Sequence, residues 1–283
     1  MHKNRYETDF GFINKRNSFL SLTSVFSGYE DGRMFHEGLA AVKSKSGGIF
    51  WGGYWGFINT TGQLVINDEY DEAGNFSEGL ASVKVIKRFL FLKLLEKCGY
   101  INKNGILAIP LSFESAGNFQ EGLANVRLEN KSGFINKEGK LVINPIYETA
   151  GHFSNGLACV RLNGKWGFID RNGNTVIPFN FEDARMFNDS LAIVKQEGKW
   201  GFINRLGKFI FDTKYEKVGN FSEGLAPVCI GSLWGYIDGK GSVVIQPQFE
   251  EAYPFHSGLA MVEIGERIGY INSKGDYVWH PSK

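Results

Sequence analysis

The chain has 283 residues, 43% hydrophobic and 22% charged, enough apolar material to pack one large domain or two average ones. Its 31 basic and 30 acidic side chains leave a formal net charge of +1, so composition gives no pull toward nucleic acid or an anionic membrane. Thirty-six glycines and 14% aromatics, without a low-complexity run, point to many tight turns.

Met1 to Phe10 hold no apolar stretch of the signal-peptide kind. Nothing along the chain approaches the roughly 18 uninterrupted apolar residues of a spanning helix. From residue 11 onward a tripeptide, Gly-Phe/Tyr-Ile, recurs at Gly11, Gly56, Gly99, Gly133, Gly167, Gly201, Gly235 and Gly269. The steps between them are 45, 43 and then 34 five times, a sustained internal period. Other residues keep phase. Six places on stands another glycine (Gly62 to Gly275), with Asn17 in the first copy. Fourteen on is an aromatic followed by an acid, from Tyr70-Asp71 to Phe249-Glu250. Twenty on is a phenylalanine, from Phe76 to Phe255, and then Gly-Leu-Ala, with Ser190 for the glycine in the fifth copy.

One unit shows the predicted elements. Residues 157–162 form a β-rich run, Asn163-Gly164 is a two-residue hairpin signal, and 166–170 is the return strand. A turn at 171–174 leads to a third strand, 175–177, whose pairing Pro178 limits. Residues 181–184 are a candidate fourth. Outside the second of two insertions described below, no segment carries ten residues of helical period. The three cysteines, Cys98, Cys159 and Cys229, are widely spaced and odd in number, which argues against a disulfide framework or a zinc site. They read as small buried residues of a reducing compartment; the expected location is the cytoplasm, with export without a classical signal peptide as the alternative.

The run Lys165-Trp166-Gly167-Phe168-Ile169-Asp170-Arg171-Asn172-Gly173, with Phe187 and Leu191-Ala192, resembles the bacterial WG (KWG) repeat family over roughly residues 9 to 280. Tryptophan precedes the glycine in four of the eight copies, Trp55, Trp166, Trp200 and Trp234. The resemblance implies an interaction module and no shared catalytic residues. The expected fold is all-β, about seven units of 34–45 residues in one domain, 1–283. Units run 9–37, 38–78, 79–121, 122–155, 156–189, 190–223, 224–257 and 258–283. Short units cannot bury a face alone and must stack. A closed β-propeller is the preferred arrangement and an open β-solenoid the alternative.

The repeats supply their own control for function, because a residue present in every copy serves the scaffold. The recurrent acids are expected to accept hydrogen bonds from turn amides, and the tryptophans to pack between sheets. His36, His152 and His256 near the Gly-Leu-Ala turns read as polar turn residues. Glu30 and Asp31, between Gly28 and Gly32, are a weak calcium candidate in a loop. No catalytic motif appears, and no cofactor or metal is implied.

The departures from period are more informative. From Gly-Leu-Ala to the motif glycine takes 11 residues in regular units, but 18 from Gly38 to Gly56 and 20 from Gly79 to Gly99. Two adjacent units thus carry insertions at the same hairpin, residues 44–54 and 86–97, which should emerge side by side. The first is aromatic and glycine-rich, with Ile49, Phe50, Trp51 and Tyr54. The second is apolar and basic, with Lys87, Arg88, Phe89, Phe91, Lys93 and Leu94. Clustered apolar and basic residues mark a contact surface, and the alternative is that the two elongated hairpins pack on each other and close one end of the core. The expected function is a non-catalytic, monomeric scaffold that binds a protein through these ten residues, with weak membrane-surface contact as a lesser option. A lectin-like module built on the repeated aromatics, and an enzyme with a channel-centred site, are the alternatives.

Overall fold

The computed structural model describes residues 12–13, 19–20, 29–45, 53–89, 92–211, 214–265 and 267–282. They are all strand, turn and loop, with no helix, so no helix is long and apolar enough to cross a membrane. The chain divides into two compact units, Met1–Pro145 and Ile146–Lys283.

A short hairpin, Phe12–Ile13 with Phe19–Leu20, is followed by seven small antiparallel sheets. The first comprises Tyr29–Gly32, Leu39–Ser44, Trp55–Asn59 and Leu64–Tyr70, each strand paired with the next. The second comprises Glu72–Ala73, Leu80–Phe89, Leu92–Asn102 and Leu107–Phe113. The third runs from Ser115–Ala116 to Leu141–Tyr147, the fourth from Thr149–Ala150 to Thr175–Phe181. The fifth holds Asp183–Ala184, Leu191–Gln196 and Lys199–Asn204. The sixth runs from Lys217–Val218 to Val243–Phe249, the seventh from Glu251–Ala252 to Tyr277–Ser282.

A 34-residue period accommodates four strands because the leading strand is two residues long in six of these sheets. The candidate fourth strand at 181–184 is split: Phe181 closes the fourth sheet, and Asp183–Ala184 opens the fifth. Pro178 does not end its strand. Trp166 faces Phe181 and Phe168 faces Ile177, so two residues of one strand oppose four of the other. The excess forms a bulge, where a residue without an N–H fits at no loss. The sixth sheet repeats this, with Pro247 between Ile245 and Phe249. The bulge also explains the motif glycine. A Cβ on Gly167 would lie 2.7 Å from the Ile177 carbonyl oxygen, and one on Gly235 would lie 2.4 Å from that of Ile245.

Within each compact unit, neighbouring sheets share one repeated set of contacts. The aromatic after the motif glycine meets the phenylalanine that follows the next sheet's leading strand. Ring centroids are 4.9 Å apart for Phe57–Phe76 and Tyr100–Phe119, and 5.0 Å for Phe168–Phe187 and Tyr236–Phe255. All eight rings are buried. Each ring contributes about 2–3 kcal/mol by burial and each pair about 1 kcal/mol more by geometry. The turn glycines Gly105, Gly139, Gly207 and Gly275 rest on an isoleucine of the preceding repeat, and Gly241 rests on Phe211. A Cβ on Gly139 would be 2.9 Å from Ile109 Cγ2, and Gly139 itself holds φ +79°. The tryptophans pack in the same seams: Trp55 lies in one cluster with Tyr70, Phe76 and Val83, and Trp234 in another with Phe249 and Phe255.

The recurrent acids do accept turn amides. Glu114 takes the N–H of Asn130 at 3.1 Å, Glu148 that of Gly164 at 3.1 Å and Glu182 that of Gly198 at 3.1 Å. Asp71, one carbon shorter, takes the N–H of Ile86 at 2.6 Å. A second acid sits in the two-residue turns before Leu-Ala. Glu37, Glu78 and Glu223 hold φ of +53°, +54° and +53°, each followed by a glycine of positive φ. That is type I′ geometry, costing roughly 1–2 kcal/mol at a non-glycine residue. These side chains reach the next repeat: Gly79 N–H donates to Glu37 at 3.0 Å, Gly122 N–H to Glu78 at 3.1 Å and Gly258 N–H to Glu223 at 2.9 Å.

Candidate functional site

The second insertion is strand, not helix. In the fourth sheet the hairpin pairs from Ala158↔Ile169 to Leu162↔Lys165 and turns. In the second sheet the equivalent pairs run on past Val85↔Lys97 to Ile86↔Glu96, Lys87↔Leu95, Arg88↔Lys93 and Phe89↔Leu92. Four further pairs at about 3.3 Å per residue extend the hairpin by roughly 13 Å. A register shift falls between Lys87 and Arg88.

The root of this arm is fixed by charge. Lys84 Nζ lies 2.7 Å from a Glu72 oxygen and 3.0 Å from a Glu96 oxygen, which ties the leading strand to both arm strands. Beyond the root, Lys87 is exposed and Leu95 is 44% exposed. Leu95 pairs with Lys87 two pairs beyond the point where a regular hairpin turns, and it is left exposed there.

Of the ten residues singled out in the sequence, Lys87, Arg88, Phe89, Lys93 and Leu94 lie on this arm. Ile49, Phe50, Trp51 and Phe91 lie outside the described residues. Tyr54 is half-buried at the base of the first hairpin, where Ser44 N–H donates to its carbonyl at 2.9 Å. Gly53 is required beside it, since a Cβ there would collide with the Ser44 carbonyl.

Below the arm lies an open cleft of about 320 Å³ that the sequence reading did not single out. It runs along the leading edges of the first three sheets and includes Arg33, Glu72, Ser82, Lys84, Cys98 and Asn118. The residue after the leading strand is glycine at Gly74 and Gly117, which both line the cleft, and again at Gly151 and Gly219. In the fifth and seventh sheets arginine (Arg185) and tyrosine (Tyr253) stand at that place. Arg33 holds it in the first sheet, with its guanidinium 5.0 Å from the Trp55 ring centre. Cys98 is buried, burial pushes its thiol up, and its Sγ lies 3.7 Å from the Glu114 carbonyl, so it is not an activated nucleophile.

The remaining candidates are structural. Glu30 and Asp31 belong to strand Tyr29–Gly32, not a loop. Glu30 pairs with Lys43, and Asp31 accepts the N–H of Gly32 at 2.7 Å. Among the described residues no three His, Cys, Asp or Glu side chains are placed to hold a metal. His36 and His256 occupy one turn register, whose serines bond the next repeat. Ser77 Oγ donates to the Phe119 carbonyl at 2.6 Å, and Ser222 Oγ to that of Phe255 at 2.6 Å. His152 precedes Phe153 and is a different position. Burial lowers its pKa.

The sequence profile of the WG containing repeat matches residues 55–85, 99–131, 133–166, 166–200, 200–234 and 234–267. The chain belongs to the WG-repeat family. No curated protein sequence matches this WG-repeat chain significantly. Among solved structures, it is similar to one described as a eukaryotic initiation factor, at 13% identity and TM-score 0.63, over 96% of this chain and 82% of that one. Weaker likenesses include Hsv2 of Kluyveromyces lactis, at 10% identity and TM-score 0.38, over 56% of this chain and 59% of that one. A protein of unknown function from Bacteroides caccae has 14% identity and TM-score 0.30, over 65% of this chain and 88% of that one. At these identities the first likeness speaks to fold alone.

Proposed function

We propose that this WG-repeat protein is a non-catalytic scaffold that binds another protein through the arm formed by Leu80–Phe89 and Leu92–Asn102. The single observation that carries the reading is the four residue pairs by which this hairpin outruns the regular one. The repeat joints account for the other recurrent side chains. The arm is surplus to them, and its sequence includes Arg88 and Phe89, residue types enriched at interfaces. The first insertion is proposed as the second half of the same face. The lectin-like reading loses support, because the repeated aromatics it needs are packed into the seams between sheets. A reducing, cytoplasmic location goes with the proposal, supported by three free, buried cysteines. So does a monomeric state.

The test is a variant in which Ile86 to Glu96 is replaced by Asn-Gly. This joins Val85 and Lys97 by the two-residue loop that the fourth sheet uses. Wild type and variant are compared in pull-downs from the source cell's lysate after circular dichroism and melting. A folded variant that loses a wild-type partner supports the arm as the contact site. A folded variant with an unchanged set of partners overturns it, and a variant that cannot fold assigns the arm to the core.

A further inference from the structure

The cleft beside the arm has a chemistry of its own, independent of whether the arm binds protein. Arg33 and Arg185 occupy the same place in their repeats, and each guanidinium lies 5.0 Å from a tryptophan ring centre, Trp55 and Trp200 respectively. Their other contacts differ. Arg185 donates from Nη1 to the Val218 carbonyl at 3.0 Å, so it is a strut between strands. Among the described residues the Arg33 guanidinium makes no ion pair and no hydrogen bond. It is exposed and stacked on an aromatic, and its planar fork is available, the arrangement that suits a carboxylate.

The facing groups are of the opposite kind. Lys84 is satisfied by Glu72 and Glu96, and its side chain is only 17% exposed, so it offers little to an incoming anion. Glu72, with its side chain 59% exposed, keeps acceptor capacity toward the cleft. Asn118 Oδ1 and Ser82 Oγ lie close over Gly74, where a Cβ would be 2.9 Å and 2.4 Å from them. Next to Gly74, Asn75 Oδ1 is buried with no hydrogen-bond partner among the described residues. A cation unpaired among the described residues on one side and a group of acceptors on the other select a molecule with both charges. A volume of about 320 Å³ is at the lower end of ligand pockets and suits a small molecule.

We propose that this cleft binds a small zwitterion, a free α-amino acid, with its carboxylate on Arg33 and its ammonium toward Glu72 and the amide oxygens. The experiment titrates the full-length protein with each of the common α-amino acids, using calorimetry and protein-observed NMR. Acetate and methylamine serve as single-charge controls. The expected result is saturable binding of one or a few amino acids. Arg33→Ala should weaken that binding more than tenfold. Glu72→Gln should weaken it severalfold without altering any response to acetate. If Arg33→Ala fails to fold, Arg33→Lys takes its place, keeping the charge over Trp55 and losing the planar fork; affinity should still fall. The proposal is overturned if no amino acid binds, if acetate binds as tightly as the best amino acid, or if the arginine substitution leaves affinity unchanged.

Discussion

At the scale of single residues, the turn acids have a measurable consequence. Burial pushes the Glu78 carboxyl up, but the Gly122 amide and the Lys137 ammonium, 3.0 Å away, outweigh it and hold the group below its ordinary 4.5. Glu37 is held down in the same way, against burial, by Lys103 and the Gly79 amide. A carboxyl with a depressed folded-state pKa stabilises the fold above its unfolded pKa and loses that contribution as pH falls through the folded value. Glu78→Gln should therefore cost about 1 kcal/mol near neutrality. The difference in melting temperature from wild type should shrink steadily below pH 4.5, the unfolded reference for this group. A difference that stays constant through that range would refute the assignment. Gly139→Ala meets two obstacles at once, a positive φ and the Ile109 side chain, and should cost about 2 kcal/mol in denaturant titrations. Gly164→Ala, in open space at φ +76°, has only the first obstacle and should cost less.

At the scale of elements, the repeat made most of the architecture legible in advance. The turn glycines, the aromatics and the turn acids name the joints, since they meet a partner one sheet along, whereas the motif glycines meet a strand of their own sheet. What the residues of one unit did not reveal was the phase of the sheets. Pro178 reads locally as a strand terminator, yet the partner strand accommodates it in a bulge. Sequence patterns of one strand do not contain the register of two. The second insertion was ambiguous for the same reason: its apolar and basic residues permit several periods, and only pairing across the hairpin makes it strand. The fifth sheet tests the joint argument by its weakness. Among the described residues its outer strand pairs by the bridges Ile203↔Phe209 and Trp200↔Tyr215, with Phe211 at the place of the usual isoleucine. Hydrogen exchange at Ile210 should be faster than at Val176, its equivalent in the fourth sheet's continuous outer strand. Equal protection would show that the bridges suffice.

At the scale of the whole molecule, stability in a repeat array is the sum of units and their joints. Phe187 is buried against Phe168 across the seam of the fourth and fifth sheets, so Phe187→Ala should cost about 3–5 kcal/mol. The loss should be read in native-state exchange as deprotection centred on those two sheets, not as uniform loosening. A uniform change would mean that each compact unit unfolds as one cooperative body.

The amino-acid order by itself determined the repeat, its all-β character, the family and the places where the period is broken, because these depend on residue type at fixed spacing along one chain. It also marked Arg88, Phe89, Lys93 and Leu94 as surplus to the repeat. The cleft was decided only by the tertiary structure. Arg33, Glu72 and Asn118 stand far apart in sequence, and each looks like an ordinary departure at a repeat position. They meet because successive sheets set their leading edges side by side, and no spacing rule within one unit encodes that adjacency.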